Sequence, residues 1–287
     1  MFIVCDIGGT KTRIARATVD GLHSEPRIFE TPQKYSDAIK LLHQHIVEVM
    51  AGRPLKAMII GIAGSLHSDK RGLFKAPNLP DWDNKPLRDD LSHLLKRPVL
   101  LENDVALVGL GEAVHGAGKS YESVVYMSFG TGVGGVRIID KDIEYHTSGF
   151  EPGHHIIQAP LDEDDQCEFK CVSCSFAGHW EALIGGASLR KKFGPRPHET
   201  LDEKTLNRIA RFTAYGIYNT LLFWPSDCAV LGGGLVMHDV IKIDTVKRYL
   251  ERCNTIIPTL PPLVKAELRD IGGLHGGVAY LRKRKLV

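Results

Sequence analysis

The sequence predicts an α/β protein built from two related domains. Apolar strands alternate with amphipathic helices, the pattern of parallel sheets covered by helices. A strand, a Gly/Thr turn and a returning strand occur twice, at Phe2–Val19 and Ser123–Ile139. And 287 residues exceed what one hydrophobic core usually organises.

Phe2 to Cys5 forms a short apolar run, Ile7-Gly8-Gly9-Thr10-Lys11 a turn, and Arg13 to Val19 an alternating strand. Ser36 is placed to cap a helix whose apolar face is Ile39, Leu42, Ile46 and Val49. Ala57 to Ile62 reads as a buried strand ending in Ala63-Gly64-Ser65. Pro98 to Leu101 is another, ending in Glu102-Asn103-Asp104. A helix over Val105 to Val114 stops at Gly116-Ala117-Gly118. Ser123 to Phe129 and Val136 to Ile139 flank the turn Gly130 to Gly135. Cys228 to Leu231 precedes Gly232-Gly233-Gly234 and a helix. These signals place one domain at 1–118 and the second at 119–275. A C-terminal helix near 276–287 is expected to pack back on the first.

Charge and composition exclude several classes. With 36 basic and 34 acidic residues, the net charge of +2 offers no electrostatic basis for binding nucleic acid or an anionic membrane. No run approaches the ~20 apolar residues of a membrane span. The opening residues lack the basic segment of a signal peptide. A cytoplasmic location follows as the expectation, with the six cysteines as thiols or metal ligands.

Three glycine turns at strand ends suggest a nucleotide phosphate site, because successive backbone N–H groups in such turns form an anion-binding concavity. Gly130 to Gly135 fits G-x-G-x-x-G, but an apolar β-branched run follows where a dinucleotide fold needs a helix. Gly118-Lys119-Ser120 resembles the end of a P-loop, yet Ala113 occupies the first required glycine. Both alternatives fail on context.

Glu102-Asn103-Asp104 lies at the carboxyl end of a strand, where open α/β sheets place their ligands. Asp104 is suited to accept a hydroxyl proton, and Asn103 to bond neighbouring hydroxyls. Glu151-Pro152-Gly153-His154 and Glu181 complete a polyol-binding palette. Together with the phosphate turns they predict γ-phosphoryl transfer to a sugar hydroxyl, with Asp6 holding Mg2+ through water and Asp104 as base. His154, His155, Cys167, Cys171, Cys174 and His179 supply more than the four N/S ligands of a structural zinc. Cys171 and Cys174 have ligand spacing, and His179 with His154 could complete the set. Such a zinc would order the acidic stretch Asp162 to Asp165 and orient His154.

With these residues in place, the chain resembles the ROK family of sugar kinases, within the actin-like ATPase superfamily, over essentially its whole length. Asp6-Ile7-Gly8-Gly9-Thr10-Lys11 is similar to the family's first phosphate motif, Gly130-Thr131-Gly132 opens its second, and Gly232-Gly233-Gly234 lies in its adenosine motif. Glu102-Asn103-Asp104-Val105 resembles its sugar and catalytic-base motif, and Glu151 to His154 its E-x-G-H motif.

The resemblance implies two actin-like (ribonuclease H-like) α/β domains with a central cleft, paired as a homodimer. It also implies ATP with Mg2+ and transfer to the 6-hydroxyl of a hexose. Asp104 is then the base, and Asn103, Glu151, His154 and Glu181 are sugar contacts. Asn78 and Gly64 line the pocket mouth, and the run Pro77-Asn78-Leu79-Pro80-Asp81-Trp82 favours glucose over N-acetylmannosamine, N-acetylglucosamine, fructose or allose. In the zinc segment, 154–181, the family's last cysteine is replaced by His179. The implied set is therefore His154, Cys171, Cys174 and His179, with Cys167 or His155 as substitutes. A DNA-binding repressor of the family would carry a reader segment before the first phosphate motif, whereas Asp6 is the sixth residue. A non-catalytic sugar sensor would be expected to lose Asp104 or the turns, and both are present.

Overall fold

The computed structural model describes residues 1–144, 146, 149–158 and 170–284. The chain forms two compact units. One contains Met1–Lys119, Asp140–Gly149 and the chain from Asp270 on; the other contains Ser120–Ile139 and Phe150–Arg269.

The first unit opens with β1 (Phe2–Ile7), β2 (Lys11–Ala17) and β3 (Arg27–Glu30). Helix α1 (Tyr35–Met50), β4 (Ala57–Ile62), the short β5 (Ser65–Leu66) and β6 (Leu73–Lys75), and α2 (Leu87–Leu95) follow. Then come β7 (Val99–Asn103) and α3 (Asp104–His115). Its sheet has the order β3-β2-β1-β4-β7. β1 and β2 form an antiparallel hairpin, whereas β1, β4 and β7 run parallel, so that Asp6, Gly61 and Glu102 share one register row. Three carboxyl ends therefore lie side by side, and each leads into a segment singled out from the sequence.

Alternation along the strands separates two faces. Ile3, Cys5, Ile7, Ile60 and Leu101 join Leu42, Ile46 and Trp82 in one buried cluster. On α1 the buried stripe is Ala38, Leu42, Ile46 and Met50. The helix begins at Tyr35 after Lys34, without a side-chain cap, so Ser36 is not its N-cap.

The second unit repeats the hairpin. β8 (Ser123–Phe129) pairs antiparallel with β9 (Val133–Ile139). Strand β10 (Asp142–Ile143) belongs to the first unit. Helices α4 (Trp180–Ile184), α5 (Gly186–Phe193), α6 (Pro197–Thr200) and α7 (Glu203–Phe223) precede β11 (Cys228–Gly232). The chain continues through α8 (Gly234–Met237), α9 (Ile243–Cys253) and β12 (Leu263–Lys265). The strand order β9-β8-β11-β12 mirrors β2-β1-β4-β7, and β11 is parallel to both β8 and β12. The core gathers Val125, Met127 and Phe129 with Trp180, Ile217 and Leu231. Trp180 meets Phe129 edge-on at 5.4 Å between ring centroids, a favoured aromatic geometry.

Helix α10 (Gly272–Lys283) belongs to the first unit and packs against α3. The unit boundaries differ from those expected, because Asp140–Gly149 and residues 270–275 group with the first unit. Lys141 Nζ donates to the carbonyls of Ala113 at 2.8 Å and Lys119 at 2.9 Å. Arg284 pairs with Asp142 at 2.8 Å. No helix among the described residues is long and apolar enough to cross a membrane.

Candidate active site

Hydrogen bonds to its carbonyls hold the first glycine turn. Thr31 Oγ1 donates to Gly8 O at 2.8 Å, Gln33 Nε2 to Gly9 O at 3.1 Å, and Thr31 N to Thr10 O at 2.9 Å. A trans peptide is planar, with its C=O and N–H on opposite sides. Tying back the carbonyls of Gly8 and Gly9 therefore turns the N–H groups of Gly9 and Thr10 the other way. That is the arrangement an anion-binding turn requires. Thr10 and Lys11 are exposed. A Cβ on Gly9 would lie 2.5 Å from Asn78 Cβ, so Asn78 packs directly on this turn. Thr31 and Gln33 escape sequence reading because nothing in Thr31-Pro32-Gln33 marks them as turn holders.

The second unit uses the same device with different partners. Gly186 N and Ala187 N, the first amides of α5, donate to Gly130 O at 2.9 Å and Thr131 O at 2.8 Å. The N–H groups of Thr131 and Gly132 face away from α5 as a result. Glu181 braces the turn from below: its Oε2 accepts Val133 N at 2.9 Å, and a Cβ on Gly132 would lie 2.3 Å from that oxygen. Only glycine allows this approach. In the third turn, Gly233 has φ +87°, and its carbonyl accepts Val236 N and Met237 N at the start of α8.

In the first unit, Asp104 is the first residue of α3, immediately beyond β7, where a carboxylate is favoured by the helix N-terminus. Asn103 caps α3 by accepting Ala106 N at 3.1 Å, while its Nδ2 reaches Gly64 O at 3.3 Å. Both ends of that amide already have a partner inside the protein. One N–H and one lone pair remain for a ligand. Asp6 lies near the end of β1, two strands along from β7, and is 3.8 Å from Arg13, which also binds Asp270 at 3.0 Å. Burial pushes the Asp6 carboxyl up to about 7; Asp104 adds to the rise, Arg13 opposes it, and Asp270 adds a smaller increment. Arg13 thus meets two carboxylates, Asp6 and Asp270; a divalent cation held beside Asp6 would return that carboxyl to its ionised form.

The Cys/His segment converges in the second unit. One ligand atom from each of His154, Cys171, Cys174 and His179 lies within 4.8 Å of the others. His154 Nδ1 is 3.2 Å from His179 Nδ1, and Cys174 Sγ is 3.8 Å and 3.3 Å from those two nitrogens. Zinc bond lengths place tetrahedral N···N edges at about 3.3 Å and S···N edges at about 3.6 Å, so these donors fit the metal. His154 directs its Nε2 towards Glu151, 4.0 Å away, which is exposed.

Two expectations change, and one lies beyond what the structure describes. His155 stacks on Trp180, centroids 5.1 Å apart, and burial lowers its imidazole to about 4; it is a packing residue rather than a substitute ligand. The Glu181 carboxylate is 8% exposed and already bonded to Val133 N and, at 2.6 Å, to Ser173 Oγ, with Cys171 Sγ 3.4 Å away. It links the glycine turn to the Cys/His cluster, which leaves it little capacity for a sugar. Cys167 and the Asp162 to Asp165 stretch lie outside the described residues.

The ROK family signature matches residues 2–284, and the chain belongs to the ROK family. It is 30% identical to the N-acetyl-D-glucosamine kinase of Pectobacterium atrosepticum over 96% of this chain and 97% of that one. It is 29% identical to the glucokinase of Thermotoga maritima over 65% of this chain and 57% of that relative. Among solved structures, the ROK family glucokinase from Streptomyces griseus in complex with glucose and AMPPNP superposes with a TM-score of 0.78. That match has 21% identity and covers 99% of each chain. The fold is thus the two-domain actin-like α/β fold.

Proposed function

We propose that this protein is an ATP-dependent sugar kinase that transfers the γ-phosphoryl group to the 6-hydroxyl of a hexose, with glucose as the preferred acceptor. The observation that carries the reading is the Asp104 carboxylate, held at the head of α3 beside Asp6 and next to a turn whose amides are aimed outward. Asp104 accepts the proton of the 6-hydroxyl as its oxygen bonds to the γ-phosphorus. The bond from that phosphorus to the β,γ-bridging oxygen breaks, and ADP leaves with the electron pair. Gly9, Thr10, Thr131 and Gly132 offer amides to phosphate oxygens, with Gly8, Lys11, Gly130 and the Gly232 to Gly234 turn completing the nucleotide contacts. Asn103, Asn78, Gly64, Glu151 and His154 serve the sugar.

Mg2+, when bound, neutralises charge on the phosphate oxygens, and Asp6 would hold it through water. Zinc, held by His154, Cys171, Cys174 and His179, would cross-link a segment with few apolar side chains. Glucose is favoured by the Pro77 to Trp82 run and by the glucokinases among the relatives, while the N-acetyl-D-glucosamine kinase makes 2-acetamido sugars the second reading. A coupled ADP-release screen over hexoses and 2-acetamido sugars with Mg-ATP tests both. ADP release with glucose supports the first, release with only an acetamido sugar supports the second, and release with none removes the kinase reading.

A further inference from the structure

We propose that Lys70 is a positioning residue for the base Asp104, acting through the buried carboxylate of Glu102; this rests on the kinase reading above. Glu102 is the penultimate residue of β7 and is 1% exposed. Its Oε2 accepts Lys70 Nζ at 2.5 Å, and its Oε1 accepts the backbone N–H of Asn103 at 3.0 Å. Asn103 in turn caps α3 at Ala106 N and binds Gly64 O, and Asp104 is the next residue. Gly64 and Lys70 bracket one turn of chain, formed by β5 and the segment leading to β6. That segment grips the β7–α3 junction at two points: the Gly64 carbonyl and the Lys70 ammonium.

The backbone at Lys70 supports a role for its side chain. Its φ is +50°, a conformation in which glycine or asparagine is more comfortable, and its N–H closes a turn onto His67 O at 2.8 Å. Lysine there strains the turn, and its ammonium reaches a carboxylate 32 residues away. Beside the pair lies a cavity of about 340 Å³ lined by Ser68, His146 and Arg284 among others. Without the ammonium, the buried Glu102 carboxylate faces that cavity beside the His146 imidazole, 3.7 Å from Oε1, which is not a permanent cation. The carboxylate then takes a proton or draws in water, and either weakens its hold on the Asn103 amide. The residue displaced by that loosening is Asp104, and misplacing a reacting group by about 1 Å slows catalysis by about 10²-fold.

The test compares kcat and KM for glucose and ATP in wild type, Lys70→Met, Lys70→Arg, Glu102→Gln and the Lys70→Met/Glu102→Gln double variant. Lys70→Met is expected to lower kcat by roughly 30- to 100-fold while KM for ATP stays within about threefold. Lys70→Arg restores the cation and most of the rate. Glu102→Gln keeps an acceptor for the Asn103 amide but needs no counter-charge. The double variant should therefore return to the rate of Glu102→Gln alone, a coupling that a surface or merely structural lysine would not produce. A Lys70→Met enzyme with wild-type kcat overturns the inference, as does a double variant no faster than Lys70→Met. A wild-type protein that phosphorylates no sugar removes the kinase reading, and this inference falls with it. An active wild type with an unaffected Lys70→Met variant removes this inference alone.

Discussion

Replacing Asp6 by asparagine should stabilise the protein at neutral pH and leave acid stability unchanged. The folded carboxyl titrates at about 7, against 3.8 for the free group, chiefly because it is buried and because Asp104 faces it. An acid whose pKa is raised by folding binds its proton more tightly in the native state, so stability falls as pH climbs from about 4 to about 7. Above that window the full penalty remains, on the order of 4 kcal/mol. Asparagine removes the charge at the same size, and Arg13 keeps Asp270 as a partner at 3.0 Å. Urea unfolding of wild type and Asp6→Asn at pH 4 and pH 8 measures the effect. The variant should gain several kcal/mol at pH 8 and about nothing at pH 4. An equal difference at both values would refute the reasoning, because a pH-independent effect does not come from ionisation.

Three further outcomes are expected. Asp104→Asn should leave sugar binding by calorimetry nearly intact while turnover falls by about 10²-fold or more, as loss of a general base does. Metal analysis of protein purified without chelator should find about one zinc per chain, and Cys174→Ser or His179→Ala should abolish it. Gly132→Ala forces a methyl against Glu181 Oε2, 2.3 Å away. It should destabilise the protein by about 1–3 kcal/mol in urea and raise KM for ATP; wild-type behaviour would show that the turn yields more easily than the geometry implies.

The strands were the most legible part of the chain. β4 and β11 are apolar runs closed by glycine or small residues, and Val124 to Met127 is the apolar centre of β8; buried parallel strands carry such runs in sequence. The glycine turns were legible for the same reason: few residues tolerate a strand end that reverses at once. Helix α1 shows the limit. Its apolar positions fit stripes one residue apart, and Ser36 offers a plausible cap, yet packing selects Ala38 and Met50 and starts the helix at Tyr35. In the Cys/His segment, ligand types at workable spacing were enough to pick out four side chains that do converge.

What the sequence could not reveal was long-range. Thr31 and Gln33 tie back a turn more than twenty residues before them. Glu181 reads as one more sugar-binding carboxylate until its oxygens are seen on Val133 and Ser173. Lys70 carries no signal of its own in the sequence, because its partner Glu102 lies 32 residues further along the chain.

Phosphorus NMR of a reaction containing the protein, Mg-ATP and glucose tests the central claim most directly. Outward-facing turn amides and a carboxylate base at the β7–α3 junction predict stoichiometric ADP and a phosphate monoester on the 6-oxygen. Inorganic phosphate alone, or a phosphate carried on the anomeric oxygen, would contradict the account.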